Sequence, residues 1–231
     1  MIITGTAVAF LLLVIIVLPY LSIQSARHLG SGVLWIPRGR LYAQVIGTQA
    51  FLFFIGWFTA RENGIDLWKR PRTPLISWAS AAVLLVVMLA MLRLRWPGRS
   101  PSAKARLNSM LPQNARERWP YVGVCIAAGI AEEIVYRGVL TTLLASYLQN
   151  VYIAALISAI AFGFAHMIQG WRSVISTTAI GILMQALVAV ASSLVPAMVV
   201  HATYDFVAGM LVPKWYAATL PLPDAAPAVG Q

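Results

Sequence analysis

Long uninterrupted runs of apolar residues constrain this chain more than any other feature of its sequence. A transmembrane helix needs about 20 consecutive, mostly apolar residues. Seven runs meet or approach that length: Ile2–Leu21, Tyr42–Ala60, Leu75–Leu92, Tyr121–Leu148, Val151–Met167, Val174–Ala191 and Leu194–Val212. A break of the longest run near Gly129 or Gly138 raises the count to eight. We therefore predict an all-α, polytopic membrane helix bundle of seven or eight transmembrane helices.

Composition supports a membrane protein and argues against other classes. Hydrophobic residues make up 60% of the chain, charged residues 10%, and the mean hydropathy is +0.78. A soluble domain carries about 25% charged residues, and a disordered chain combines low hydropathy with high charge. The net charge of +10 fits basic loops facing anionic lipid, so we predict the lipid bilayer and no nucleic acid as a partner. The lone Cys125 excludes a disulfide framework and a cysteine-based zinc site.

The loops between the predicted spans differ in charge. Loops 23–41 and 93–118 are rich in Arg and Lys, whereas loop 61–74 also carries Glu62 and Asp66. Because cytoplasmic loops carry the excess of basic residues, seven spans place the N-terminus outside and the C-terminus in the cytoplasm. Within the third loop, Leu107, Met110 and Leu111 fit either an amphipathic surface helix or an unstructured linker.

The chain shows no internal repeat and no second domain. We predict one integrated membrane domain, described in three parts: N-terminal helices and basic loops over 1–118, a core over 119–213, and a flexible C-terminal tail over 214–231 that is rich in Pro and Ala.

Ionisable side chains lie inside the predicted spans, where each charge costs about 2.5–3.5 kcal/mol on insertion scales. They are Glu132, Glu133, Arg137, His166, His201 and Asp205. Such residues indicate a functional site by default, with ion pairing as the rival explanation. Because they lie on three separate spans, we predict that they converge on one water-filled polar cavity within the membrane.

Spacing within each span supports this prediction. Glu133 and Arg137 are four residues apart and can form an ion pair on one helix face, whereas Glu132 points about 100° away. Phe162 can pack over the imidazole of His166. His201 precedes Asp205 by four residues, close enough for the carboxyl group to orient the imidazole.

Three kinds of chemistry suit a cavity with Glu, His and Asp side chains. A glutamate can act as general base on water, with one histidine holding that water and the other donating to a developing oxyanion. Histidines and carboxylates can also hold a metal ion with an open position for water. A transporter could use the same groups to relay protons, although no related halves are visible in the sequence.

The motifs resemble those of a known family. Glu132-Glu133-Ile134-Val135-Tyr136-Arg137 resembles EExxxR, Phe162 to His166 resembles FxxxH, and His201 to Asp205 resembles HxxxN/D. Their order and spacing are similar to those of the CPBP family, the CAAX proteases and bacteriocin-processing (Abi) intramembrane proteases related to the Rce1 type. The resemblance covers roughly Tyr121 to Val212.

This resemblance implies a bundle of eight membrane helices and a role for each motif residue. Glu132 would be the general base that activates water, His166 would help to bind that water, and His201 with Asp205 would form the oxyanion side. Glu133 and Arg137, together with Phe162, would support these catalytic groups. No cofactor is implied, although a metal-dependent mechanism has also been proposed for the family.

Two features fit the resemblance less well. Rce1-type enzymes carry Asn at the position of Asp205, and an ionised Asp cannot donate to an oxyanion. We expect Asp205 instead to orient His201 as acceptor for its other ring nitrogen. In addition, a fourth span that starts near Trp119 puts Glu132 about 20 Å deep, whereas His166 lies near the cytoplasmic end of its span.

The resulting functional prediction is an intramembrane endopeptidase of glutamate type. It would hydrolyse a peptide bond of a membrane-associated peptide or protein substrate in the bacterial inner (cytoplasmic) membrane, as an integral, multi-pass protein. The alternative is a non-catalytic binding or bacteriocin-immunity protein that uses the same cavity. The sequence specifies neither the substrate nor the oligomeric state.

Overall fold

The computed structural model describes residues 4–29 and 36–219, and the chain forms eight helices within these ranges. These are α1 (Gly5–Leu29), α2 (Arg38–Glu62), α3 (Pro74–Arg95), α4 (Pro101–Met110), α5 (115–148), α6 (Val151–Ala165), α7 (Trp171–Ala191) and α8 (Val195–Ala217). The described residues contain no β-strand, so the all-α prediction is confirmed. Ile2, where the first predicted span begins, and residues 220–231 of the predicted tail lie outside the described residues.

Five of the helices are long and apolar enough to cross a membrane: α1, α2, α3, α7 and α8. Among the others, α6 is apolar but shorter, and α5 carries the charged residues of the first motif. The protein is thus an integral, multi-pass membrane protein, because apolar helices of this length satisfy all their backbone groups within lipid. Apolar side chains such as Phe54, Leu75 and Val86 remain exposed on these helices, as lipid-facing positions require.

Successive long helices run in opposite directions through the bundle. Thr6 at the start of α1 donates to Glu62 at the end of α2, and Arg38 at the start of α2 pairs with Glu117 at the start of α5, with 3.7 Å between N and O. At the same end, Trp96 after α3 packs on Trp215 of α8, with ring centroids 6.0 Å apart. We call this end, where α2 and α5 begin and α3 and α8 end, the basic end, because loop 93–118 lies there.

Helix α5 is continuous through both glycines at which a break was considered. It consists of an α-helical segment Ala115–Glu132, a π-helical segment Glu133–Leu140 and a second α-helical segment Thr141–Leu148. Wider turns free some carbonyl groups from the usual helical pattern, and the carbonyl of Tyr136 accepts from Ser158 of α6 at 2.7 Å. The glycines permit close helix contacts instead: a Cβ on Gly129 would lie 2.9 Å from Ala202 of α8.

The third loop contains a helix, as one of the two alternatives predicted. Ser100 caps α4 by accepting from the backbone N–H of Ala103 at 3.3 Å, a common N-cap interaction. Arg106 of α4 is buried and donates to the carbonyl of Ile168 at 3.2 Å. Helix α4 therefore lies across the turn between α6 and α7 at the basic end and brings the helix count to eight.

Helix α6 is apolar but shorter than the five helices that could cross a membrane. It begins after a tight turn in which Gln149 has φ of 52° and Asn150 caps the next helix through Tyr152 and Ile153. At 1.5 Å per residue, its 15 residues span about 22 Å, and a 3-10 turn at Met167–Gln169 follows. Helix α6 therefore ends close beneath α4, whose Arg106 contacts Ile168 in the turn that follows, and this fixes the depth of His166.

Candidate active site

The side chains of the three motifs surround one cavity. This cavity, of about 290 Å³, opens among α2, α3, α5, α6, α7 and α8. The motif residues Glu132, His166, His201 and Asp205 form one polar part of its lining, and Arg95, Arg99 and Ser173 contribute further polar groups. Much of the remaining wall is apolar, as at Met88 and Met184. The predicted polar cavity is therefore present, and the four predicted catalytic residues all line it.

Glu132 directs one carboxylate oxygen towards two imidazole rings. Its Oε1 accepts a hydrogen bond from Nε2 of Gln49 at 2.6 Å. Its Oε2 is buried without a hydrogen-bond partner among the described residues and lies 3.7 Å from Nε2 of His201 and 4.0 Å from Nε2 of His166. These separations are too long for direct hydrogen bonds and leave Oε2 available to a small polar molecule.

The hydrogen bond of His166 fixes which nitrogen faces Glu132. Its Nδ1 lies 2.8 Å from the carbonyl oxygen of Phe162, and since a carbonyl can only accept, Nδ1 carries the proton. In the neutral ring, Nε2 therefore has a free lone pair pointing towards Glu132. Phe162 packs edge-on against the imidazole with ring centroids 4.6 Å apart, so the predicted contact between these two side chains is present.

Glu133 forms a buried network with Arg137 and His201. Its side chain is 0% exposed, and Oε1 accepts from Nη1 of Arg137 at 3.1 Å. The same Oε1 lies 2.8 Å from Nδ1 of His201. Because Glu133 pairs with a guanidinium, it accepts from the imidazole, and Nε2 of His201 is turned towards the cavity. A buried ion pair with additional hydrogen bonds of this kind fixes the orientation of its partners.

Asp205 does not occupy the position that we expected for it. The expected role was to accept from the second ring nitrogen of His201, but Glu133 accepts from Nδ1, and Oδ2 of Asp205 lies 3.6 Å from Nε2. One helical turn from i to i+4 brings the carboxyl group alongside the ring edge that faces the cavity. Asp205 is also more exposed than Glu133, with 32% of its side chain accessible.

Glu132 and His166 lie at similar depths in the bundle when depth is measured from the turn that joins α5 and α6. Glu132 lies about 16 residues before the end of α5 and His166 about 15 residues after the start of α6, so both are about 23 Å from the turn between these helices. The expectation of unequal depth assumed that α6 spans the bilayer, whereas it ends at Ala165.

Sequence reasoning missed Gln49, which makes the shortest contact to Glu132. Gln49 lies on α2, is only 7% exposed and donates to the carboxylate at 2.6 Å. The sequence prediction rested on ionisable groups within spans, and Gln49 is a neutral amide. A glutamine inside an apolar span is nevertheless a signal, because burying an unpaired amide is costly.

Metal binding is another chemistry that histidines and carboxylates allow. Among residues 4–29 and 36–219, no group of three or more His, Cys, Asp or Glu side chains is arranged to hold a metal ion.

Comparison with known proteins identifies the region that carries these motifs. Residues 114–207 match the family model described as "Type II CAAX prenyl endopeptidase Rce1-like". The chain matches no curated protein and no solved structure. The matched segment contains α5, α6, α7 and the motif-bearing part of α8, and so includes all three motifs. Residues 114–207 are therefore an Rce1-like region, and the resemblance drawn from the motifs is confirmed over that part of the chain.

Proposed function

We propose that this protein is an intramembrane endopeptidase in which Glu132 activates water. The observation that carries this proposal is the position of Glu132 Oε2, which no described residue hydrogen-bonds and which faces Nε2 of both His166 and His201 at 4.0 and 3.7 Å. The family match of residues 114–207 to type II CAAX prenyl endopeptidases supports a protease. The substrate in this proposal is a membrane-associated peptide or protein that enters the cavity.

In the proposed mechanism, two acceptor groups flank one water molecule. Oε2 of Glu132 and Nε2 of His166, 4.0 Å apart, can each accept one of its hydrogens. Glu132 removes a proton as general base, and the oxygen adds to the carbonyl carbon of the scissile peptide bond. The carbonyl π electrons move onto its oxygen, which forms the tetrahedral intermediate. Gln49, by holding Oε1 at 2.6 Å, keeps Oε2 directed at this water.

His201 is placed to stabilise the oxyanion. Since Nδ1 donates to Glu133, Nε2 can donate to the oxyanion when the ring is protonated, and carboxylates of Glu132, Glu133 and Asp205 surround that ring. Donors aimed at developing charge in a site screened from bulk water give large rate effects. As the intermediate collapses, the C–N bond breaks and the leaving amine takes the proton held by Glu132.

The basic loops indicate which end of the bundle faces the cytoplasm. Loops 23–41 and 93–118 are the basic ones, and α4 lies at the same end of the bundle. By the positive-inside rule, this end faces the cytoplasm, and we place the protein in the bacterial inner membrane.

The proposed mechanism uses only side chains of this chain and no cofactor.

Replacing Glu132 by Gln tests the proposal directly. Glu132→Gln keeps the shape and removes the base, so cleavage should fall by about 10²–10⁴-fold with unchanged yield in the membrane. The measurement is a comparison of peptides that accumulate in membranes of cells producing wild type or Glu132→Gln. Glu117→Gln, on the same helix at the basic end, is the matched control and should cleave like wild type.

Two results would contradict the proposal. Equal cleavage by Glu132→Gln and wild type removes the catalytic assignment. A protein that never cleaves but retains a membrane ligand or bacteriocin immunity in both Glu132→Gln and His166→Ala supports the non-catalytic alternative.

A further inference from the structure

A guanidinium group at the mouth of the cavity forms no ion pair with any carboxylate in the part of the chain that the structure describes. Arg99 lies between α3 and α4, is half-buried and lines the cavity that contains Glu132 and His201. Its Nη1 donates to Oγ of Ser173 at a long 3.3 Å, and its Nε is buried without a hydrogen-bond partner among the described residues. This half-buried cation thus makes a long hydrogen bond to a neutral side chain.

A second guanidinium group, that of Arg95, adds positive charge near Arg99. Burial lowers the pKa of Arg99, the neighbouring Tyr204 raises it, and the second guanidinium of Arg95 lowers it. Arg95 lines the same cavity. Within residues 4–29 and 36–219, no carboxylate forms an ion pair with Arg95 or Arg99. Because a buried charge is costly unless it is paired, the site favours an anion from outside the chain.

Other arginines at the basic end have structural contacts that explain them. Arg38 pairs with Glu117 at 3.7 Å, and Arg172 donates to the carbonyl of Gly98. Arg99 differs because it faces the cavity rather than the surface, and its guanidinium can form a bidentate contact with a carboxylate.

The position of Arg99 relative to the reacting atoms limits what such an anion can be. Arg99, Tyr204, His201 and Glu132 all line one cavity. A carboxylate held at Arg99 can therefore belong to the same peptide whose scissile bond faces Glu132.

We propose that Arg99, assisted by Arg95, binds a carboxylate of the substrate peptide and thereby selects acidic or free-carboxylate peptides. This inference rests on the proposed peptidase function. It names a specificity group outside residues 114–207, the segment that matches the endopeptidase family. The anion comes with the substrate, because Arg99 and Glu132 line one continuous cavity.

The test uses full-length protein in phosphatidylcholine vesicles and one cleaved peptide from the membrane comparison described above. That peptide is synthesised in two forms, one with its terminal and side-chain carboxylates and one with carboxamides in their place. Wild type should cleave the carboxylate form with a kcat/KM about 10-fold or more higher, as expected for a hydrogen bond to a charged group. Arg99→Gln should reduce this preference to about 2-fold or less, mainly through KM.

A matched control variant shows whether an effect is specific to Arg99. The possible results also separate failure of the carboxylate subsite from failure of the peptidase function. Arg116→Gln removes an exposed cation at the same end and outside the cavity, so it should retain the preference. If wild type cleaves neither peptide, the proposed function fails. If wild type cleaves both forms equally, or Arg99→Gln keeps the preference, only the carboxylate subsite is overturned.

Lipid composition distinguishes the other source of an anion. The same assay is repeated in vesicles that contain phosphatidylglycerol. A defect of Arg99→Gln that affects both peptide forms equally, and only in these anionic vesicles, assigns Arg99 to a lipid phosphate and overturns the proposal. A loss of preference that is the same in both vesicle types supports it.

Discussion

The N-terminal helices and the Rce1-like region contribute different groups to the same cavity. The Rce1-like region supplies the carboxylates and imidazoles, whereas the preceding part of the chain supplies a neutral amide, two guanidinium groups and apolar side chains such as Met88 and Leu92. The difference shows that the region with recognisable motifs contains the ionisable motif groups, while the preceding helices contribute the amide that holds Glu132 and part of the cavity wall. Substitutions in either region, or at the contact between them, should therefore have different effects.

The largest expected effect comes from the buried ion pair in the Rce1-like region. Arg137→Met leaves the carboxylate of Glu133, 0% exposed, with His201 as its remaining hydrogen-bond partner. Removing one partner of a buried pair costs about 3–5 kcal/mol, so the free energy of unfolding should fall by that amount. Thermal unfolding in detergent measures the change. A loss no greater than that of Arg116→Met, at an exposed site, would show that the network does not stabilise this region.

The next effect should appear in catalysis rather than in stability. Gln49→Leu removes the amide that holds Oε1 of Glu132 at 2.6 Å, so we expect kcat to fall about 10–100-fold with little change in KM, as for other groups that orient a reactive side chain. Gln44→Leu, at an exposed position of α2, is the control. A Gln49→Leu enzyme with wild-type kcat would confine the whole site to the Rce1-like region.

The smallest effect concerns the packing between the two regions. A Cβ on Gly56 of α2 would lie 3.0 Å from Cγ2 of Ile134, which is fully buried on α5. Gly56→Ala should therefore destabilise the protein by about 1 kcal/mol through overpacking. Gly47→Ala, on the same helix with nothing within 4 Å, should instead stabilise by about 0.5–1 kcal/mol. Equal shifts in unfolding temperature for both variants would mean that this contact is not tight.

Hydropathy and isolated charges were sufficient to predict the bundle and its ionisable cavity residues. A span is determined by local composition, and a charge such as Glu132 is conspicuous within it because of its insertion cost. The helical spacing of Glu133 and Arg137 likewise predicted their contact, which the structure shows at 3.1 Å. The catalytic roles of these residues stay predictions.

Other features depend on contacts between distant helices and could not be read from local sequence. Gln49 and Glu132 are 83 positions apart, and no periodicity connects them. Which carboxylate meets Nδ1 of His201 also depends on how α5 and α8 pack, so Asp205, four residues away on the same helix, was the nearer choice in sequence but not in space. The π-helical segment Glu133–Leu140 leaves no compositional signal of its own.

The location of His201 on α8 has a consequence for biosynthesis. Glu132 and His166 precede α8 in the chain, but Nδ1 of His201 reaches Glu133 only after α8 has packed against α5. A ribosome-bound intermediate that lacks α8 therefore carries Glu132 without the imidazole of His201. Under the proposed mechanism, hydrolysis begins only when the final described helix inserts, so the order of translation would delay activity until the bundle is assembled.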